Sequence, residues 1–367
     1  MKFVDEYQDS ELAQKLARRI AAFSTKPVVL MEFCGGHTHA ILRYGIRQLL
    51  PDTVEMRSGP GCPVCVTATA DLDKAIAIAY LPDTVITTFG DMVKVPGSRS
   101  SLQQAKAEGA DVRIVYSAID AVSIAENNPE KSVVFVGIGF ETTAPTIAAS
   151  ILKAEEKGIS NFHVLSLHKL TPPVVKALLD SGETKLDGII GPGHVSVVIG
   201  SQPYQFIAED YGIGCVISGF EPLDILFTVD KLVEQVEKGE PRVEIAYPRG
   251  VKPEGNRHAL QLMQQVFEIG EANWRGIGIV PESGLKIRPG YERFDADRAF
   301  PVSLEPAKEP DGCRCGDVVR GVANPLECRL FGKACTPESP VGPCMVSSEG
   351  ACAAYYKYAS DDGVRHD

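Results

Sequence analysis

Pro27-Val28-Val29-Leu30-Met31-Glu32-Phe33-Cys34-Gly35-Gly36-His37-Thr38-His39 is a short apolar run that stops at a Gly-Gly pair and then turns polar. A run of this length, rich in branched apolar side chains, suits a strand buried on both faces. The glycine pair lets the backbone turn sharply where the strand ends. In α/β folds that carboxyl end of the sheet is where ligands bind. Just upstream, Leu12, Leu16, Ile20 and Phe23 recur at helical spacing, so helix, strand and turn follow one another as in a wound parallel sheet.

The pattern repeats along the chain. Strand-like runs fall near residues 54–57, 84–88, 112–116, 133–136, 163–167, 188–190 and 214–218, and helical stretches at 68–80, 145–157 and 171–179 separate many of them. The expected fold class is α/β, with two wound parallel-sheet (Rossmann-like) domains at 1–130 and 131–240. An internal echo favours a duplication: Gly59-Pro60-Gly61-Cys62-Pro63-Val64-Cys65-Val66 resembles Gly191-Pro192-Gly193-His194-Val195-Ser196-Val197-Val198, and residues 85–91 resemble 216–221 at nearly the same offset. Prolines crowd the stretch from 241 to 310, where only residues 255–269 read as helical. The expectation for 241–367 is a connecting segment followed by a small irregular C-terminal domain.

Composition narrows the function. Hydrophobic residues at 44% and charged residues at 23% leave no disordered class to consider, and 367 residues exceed the usual limit of one core. A net charge of -11 with scattered lysines and arginines gives a nucleic-acid backbone nothing to hold. The opening Met1-Lys2-Phe3-Val4-Asp5-Glu6 is acidic where a signal peptide is basic and apolar, and no apolar run approaches the roughly 20 residues of a membrane span. The expected location is the cytoplasm, with no membrane partner. In that reducing setting clustered thiols read as metal ligands or redox groups before disulfides.

Six of the ten cysteines follow residue 312: Cys313, Cys315, Cys328, Cys335, Cys344 and Cys352. Zinc sites come as two close pairs, and this segment has only one C-x-C. The spacing Cys315-x12-Cys328-x6-Cys335-x16-Cys352 suits four separated thiolates around a [4Fe-4S] cluster, with Cys313 as the alternative to Cys315. Cys62-Pro63-Val64-Cys65 is a C-x-x-C at a turn before a possible helix start, where unpaired N–H groups favour a reactive thiolate; half of a zinc site competes with that reading. Cys34, His37 and His39 place one soft and two borderline donors within six residues, which suits iron with open positions, or a Cys-His nucleophile. Asp91 and Glu141 follow comparable turns and could orient a histidine, relay protons or cap a helix. His168 and His194 sit on similar turns, Cys215 reads as a buried thiol, and Gly137-Ile138-Gly139-Phe140-Glu141-Thr142 lacks the third glycine or the lysine of a nucleotide loop.

Together these residues resemble the hydrogenase maturation family HypD. The resemblance rests on Phe33 to His39, on Gly59 to Cys65, on Gly137 to Thr143, on Gly191 to Val195 and on Cys328 to Cys352, and spans essentially the whole chain. It implies a scaffold that works with the chaperone HypC and the cyanide donor HypE to build the Fe(CN)2CO unit of [NiFe]-hydrogenase. In that picture Cys34 ligates the iron with His37 close by, and Cys62/Cys65 relay electrons. The tail holds the [4Fe-4S] cluster on Cys328, Cys335, Cys352 and Cys313 or Cys315. An iron-sulfur thiol-disulfide reductase acting on an external substrate is the alternative, and it leaves Cys34 and its histidines idle. A zinc-stabilised module is a third.

Overall fold

A computed structural model describes residues 7–359; residues 1–6, on which the absence of a signal peptide was argued, lie outside the described residues. Eleven strands are seen among the described residues: β1 (Val28–Glu32), β2 (Val54–Ser58), β3 (Thr84–Thr88), β4 (Asp111–Ile114), β5 (Ser132–Gly137), β6 (Phe162–Ser166), β7 (Gly188–Pro192), β8 (Gly214–Ser218), β9 (Val243–Ile245), β10 (Phe267–Trp274) and β11 (Gly278–Ile287). The first nine form two parallel sheets flanked by helices, as expected of an α/β chain. One has the order β2-β1-β7-β8-β9 and the other β4-β3-β5-β6.

The sheets are interleaved in sequence. β1 and β2 begin the first sheet, β3 to β6 make the whole of the second, and β7 to β9 return to the first. The expected boundary at residue 130 therefore falls inside the second sheet, between β4 and β5, and the 131–240 segment is split between both. Register explains the return. Leu30 of β1 pairs with Gly188 of β7, and a Cβ at Gly188 would lie 2.7 Å from Leu30 Cδ2, so a glycine there lets the strands close. The two Gly-Pro-Gly turns that echo one another end β2 and β7, on either side of β1, whereas the second echo joins β3 of one sheet to β8 of the other. One echo thus lies within the first sheet and the other joins the two sheets, so the pair does not mark two tandem domains.

Residues 241–310 contain more than a connector. The helix Arg257–Val266 runs into an antiparallel hairpin, β10 and β11, that packs beside the second sheet. Leu170 N–H donates to Ser283 O at 2.8 Å and Ser166 Oγ to Leu285 O at 2.8 Å. Trp274, 1% exposed, stacks near Phe140 and donates its indole N–H to Ser283 Oγ at 2.8 Å. Trp274→Ala is expected to cost about 3–5 kcal/mol of unfolding free energy in urea titrations; a loss under about 1 kcal/mol would show that the hairpin is not anchored there.

The largest apolar cluster joins Cys62 and Cys65 to Cys315, Cys335, Cys344 and Cys352. The irregular C-terminal segment thus packs onto the core beside the C-x-x-C turn. Among the described residues no helix is long and apolar enough to cross a membrane.

Candidate functional site

β1 and β2 are adjacent and parallel, so the turns at their carboxyl ends are adjacent too. Cys34 is the N-cap of the helix Gly35–Arg43, and Cys62 is the N-cap of the one-turn helix Pro63–Val66. Gly61 is where the turns touch. Its carbonyl accepts the Gly35 N–H at 3.1 Å, and a Cβ on it would lie 2.3 Å from Cys34 N and 2.5 Å from Cys34 Cα. Cys62 and Cys65 are joined in a buried disulfide with Cα atoms 5.2 Å apart.

The Cys34 thiol is buried, and burial pushes its pKa far up, with the Glu349 and Glu32 carboxyls adding to the effect and the Gly36 and His37 N–H groups opposing it. Such a thiol stays protonated until a cation arrives to compensate the thiolate. Glu32 accepts the Cys34 N–H at 3.0 Å and the Thr38 hydroxyl. Burial pushes its carboxyl up to about 8, against the pull of those bonds.

That shift has a stability consequence. A carboxyl whose folded pKa is raised contributes stability that is complete below its unfolded value and lost as pH rises through about 8. Glu141, pushed up to about 7 by burial, acts in the same direction. His37 and His168 act oppositely, but only below the ordinary histidine value of 6.5. Between about pH 6.5 and 8, stability is therefore expected to fall by at most ~1.4 kcal/mol per pH unit for each carboxyl, and more gently in Glu32→Gln. Urea midpoints across that window check it; identical slopes in both proteins contradict it.

His37 is fully buried, and its Nε2 lies 3.0 Å from Gly219 O. A carbonyl only accepts, so Nε2 carries the hydrogen. Burial pushes the imidazole down to about 4 and keeps it neutral, which leaves Nδ1 with a bare lone pair. That Nδ1 is buried and has no hydrogen-bond partner, an orphan that suits a metal or a donor from a bound group. Phe220 stacks on both His37 and His194, at ring distances of 4.6 and 3.8 Å.

His39 leaves the helix on another side. Its Nδ1 meets Ser348 O at 3.4 Å and its Nε2 the Tyr358 hydroxyl at 3.2 Å, so it fastens the terminal helix Ala351–Tyr358. Asp91, exposed on the one-turn helix Gly90–Val93, reaches the site through its charge, which helps to raise Glu349. Glu141 accepts the Thr171 N–H and hydroxyl at 2.8 and 2.9 Å, so it ties down the start of the helix Thr171–Ser181, while Thr143 is the N-cap of the helix Ala144–Glu156 that follows its own turn. Cys215 lies buried in β8, where burial pushes its thiol up to about 12.

The tail closes over this centre. A small cavity is lined by Gly35, Cys62, Cys65, Cys344 and Glu349, so residues of the Cys34 helix, the disulfide and the tail share one space. Among the described residues, no group of three or more His, Cys, Asp or Glu side chains is set to hold a single ion; the tail presents a wider pool of thiols. Cys315 Sγ lies 2.8 Å from Cys344 Sγ. The Cys344 thiol donates and is held well up, while the bond it gives and the Arg275 guanidinium favour the Cys315 thiolate. Burial pushes Cys313 up to about 12, with Cys315, Cys328 and Cys352 adding repulsion, and Cys352 and Cys328 likewise repel Cys335. Thiols that repel one another as anions are the donor chemistry a thiolate-ligated cluster relieves. Sequence reasoning kept Cys344 as a further candidate without a role and missed Glu349 and Glu32, for which spacing carries no signal.

The family model described as "HypD: Hydrogenase formation hypA family" matches residues 11–359. The chain is 48% identical to a hydrogenase maturation factor HypD of Rhizobium leguminosarum bv. viciae, over 98% of this chain and 96% of that one. It is 49% identical to the hydrogenase expression/formation protein HupD of Azotobacter chroococcum, over 98% and 97%. Identity to the HypD of Escherichia coli is 44%, over 99% of both chains. A match of this extent, on a fold that brings the Cys34 and Cys62/Cys65 turns together, means that the chain belongs to the HypD family of hydrogenase maturation factors.

Proposed function

We propose that this maturation factor is the redox-active scaffold on which, with HypC and HypE, the Fe(CN)2CO unit is assembled. The carrying observation is the shared cavity of Gly35, the Cys62–Cys65 disulfide and Cys344. Iron is the cargo here, bound through the Cys34 thiolate with His37 Nδ1 close by and a thiolate from HypC completing the anchor. Cyanide arrives from HypE.

Each remaining residue has a part in this reading. Reducing Cys62–Cys65 to two thiols takes two electrons and two protons. Glu349 lines the same cavity with its carboxyl pKa raised by burial, so it is placed to pass a proton to that space. The Asp91 charge adds to that rise, and His39 holds the terminal helix against the Cys34 helix. A [4Fe-4S] cluster held by Cys328, Cys335, Cys352 and Cys313 or Cys315 supplies or accepts single electrons when bound. A reductase for an external substrate has no use for a buried Cys34 packed against the disulfide turn.

Anaerobic purification followed by metal and sulfide analysis tests the cofactor. The reading expects a brown protein with iron and acid-labile sulfide in equal amounts. A colourless protein with stoichiometric zinc overturns it.

A further inference from the structure

The carboxyl end of the second sheet carries its own cavity, which shares no lining residue with the one at the cysteine centre. It measures about 190 Å³ and lies between the turn after β6, the helix Thr69–Ala79 and the hairpin. Ligands in wound α/β sheets bind at this end of the strands. Lys169, on the β6 turn, is 2% exposed; its main-chain N–H is fixed to Gly139 O at 3.0 Å and it bridges to Gly284 of the hairpin. Buried lysines are rare unless paired. Among the described residues this one is met by Asp71, at 3.8 Å, and the Trp274 ring face at 5.6 Å.

The neighbouring charges leave it under-compensated. Lys74 also lines the cavity, but its ammonium is taken by Asp297. Lys286, exposed on β11, and Arg275 both repel Lys169. Glu271 lies on the hairpin wall and is exposed. His168, 1% exposed, also lines the cavity; its Nδ1 meets Ser166 Oγ at 3.1 Å, while its Nε2 is buried without a partner.

We propose that this cavity binds a small oxyanion, a carboxylate or a phosphate, with Lys169 as its principal cation and Lys286 at its mouth. The anion supplies the negative charge that Asp71 gives at too long a range. Ser166 Oγ gives its hydrogen to Leu285 O, so His168 carries its own on Nδ1 and its free Nε2 can only accept, which favours an anion that keeps a hydroxyl, such as hydrogen phosphate. Burial lowers the Lys169 ammonium to about 8 in the empty cavity, so anion binding restores its proton. The sign follows. Above about pH 8 affinity falls, approaching tenfold per unit. Burial raises Asp71 and keeps His168 neutral, so neither reverses that trend.

Calorimetric titration of the full chain with inorganic phosphate and, separately, with acetate tests this and tells the two anion classes apart. The expected result is saturable binding of one of them at neutral pH, about tenfold weaker at pH 9.5 than at pH 8.5. Lys169→Met should weaken it at least about tenfold and Lys286→Gln about threefold, as for loss of a close and a peripheral charge. Lys286 is exposed, so its variant folds even where the buried one does not. No saturable binding of either anion, or wild-type affinity in Lys286→Gln together with a flat pH profile, overturns the proposal.

Discussion

Hydrogenase activity in cells that depend on a Cys34→Ala variant is expected to fall by at least about 100-fold, since loss of residues that merely support a metal ligand already costs 10–100-fold. The absorption of the cluster proposed for the tail should remain. Cys34 sits at the end of β1 with its thiol held protonated by burial and by the Glu349 and Glu32 carboxyls. Alanine removes the only sulfur at that turn and leaves the Cys62–Cys65 disulfide and the terminal thiols in place. Near-normal hydrogenase activity in the variant would mean that iron is carried elsewhere.

Gly61→Ala is expected to act almost as strongly through geometry alone. Its added Cβ would lie 2.3 Å from Cys34 N and 2.6 Å from Phe33 C, both backbone atoms that no rotamer change can move. Overpacking of this kind costs about 1–3 kcal/mol, and relief comes only by pushing the Cys62 turn away from Cys34. Maturation should therefore fail in a protein that still folds. Gly90→Ala is the control, because its Cβ would meet nothing nearer than Ile114 Cγ2 at 3.8 Å; its stability should stay within about 0.5 kcal/mol. Urea titration beside hydrogenase activity separates the two, and an active, fully stable Gly61→Ala protein contradicts the account.

The strands were legible because buried parallel strands are short apolar runs. Residues 84–88 and 214–218 coincide with β3 and β8, and the other runs are offset by no more than two residues at either end. Their partners were not legible. Pairing is decided by non-local fits such as Leu30 against Gly188, and a list of strands in order does not say that β7 returns to β1. The hairpin escaped for a different reason. Gly270, Pro281 and Gly284 interrupt β10 and β11, which a two-stranded ribbon tolerates and a periodicity reading takes as a break.

At the centre, the turns that carry Cys34, Cys62 and Cys65 were readable from Gly-Gly and Gly-Pro-Gly after strands. What chemistry those thiols can do depends on Glu32 and Glu349, whose raised carboxyls are products of burial, and burial belongs to the fold. His39 shows the converse. Its position two residues after His37 looked like a second ligand, yet its ring is taken up by Tyr358 and Ser348.

Infrared spectroscopy of the anaerobically isolated protein in complex with its chaperone is the most direct test of iron assembly at Cys34. The account predicts cyanide and carbonyl stretching bands in the wild type and in His39→Ala, and none in Cys34→Ala. Undiminished bands in Cys34→Ala would contradict it.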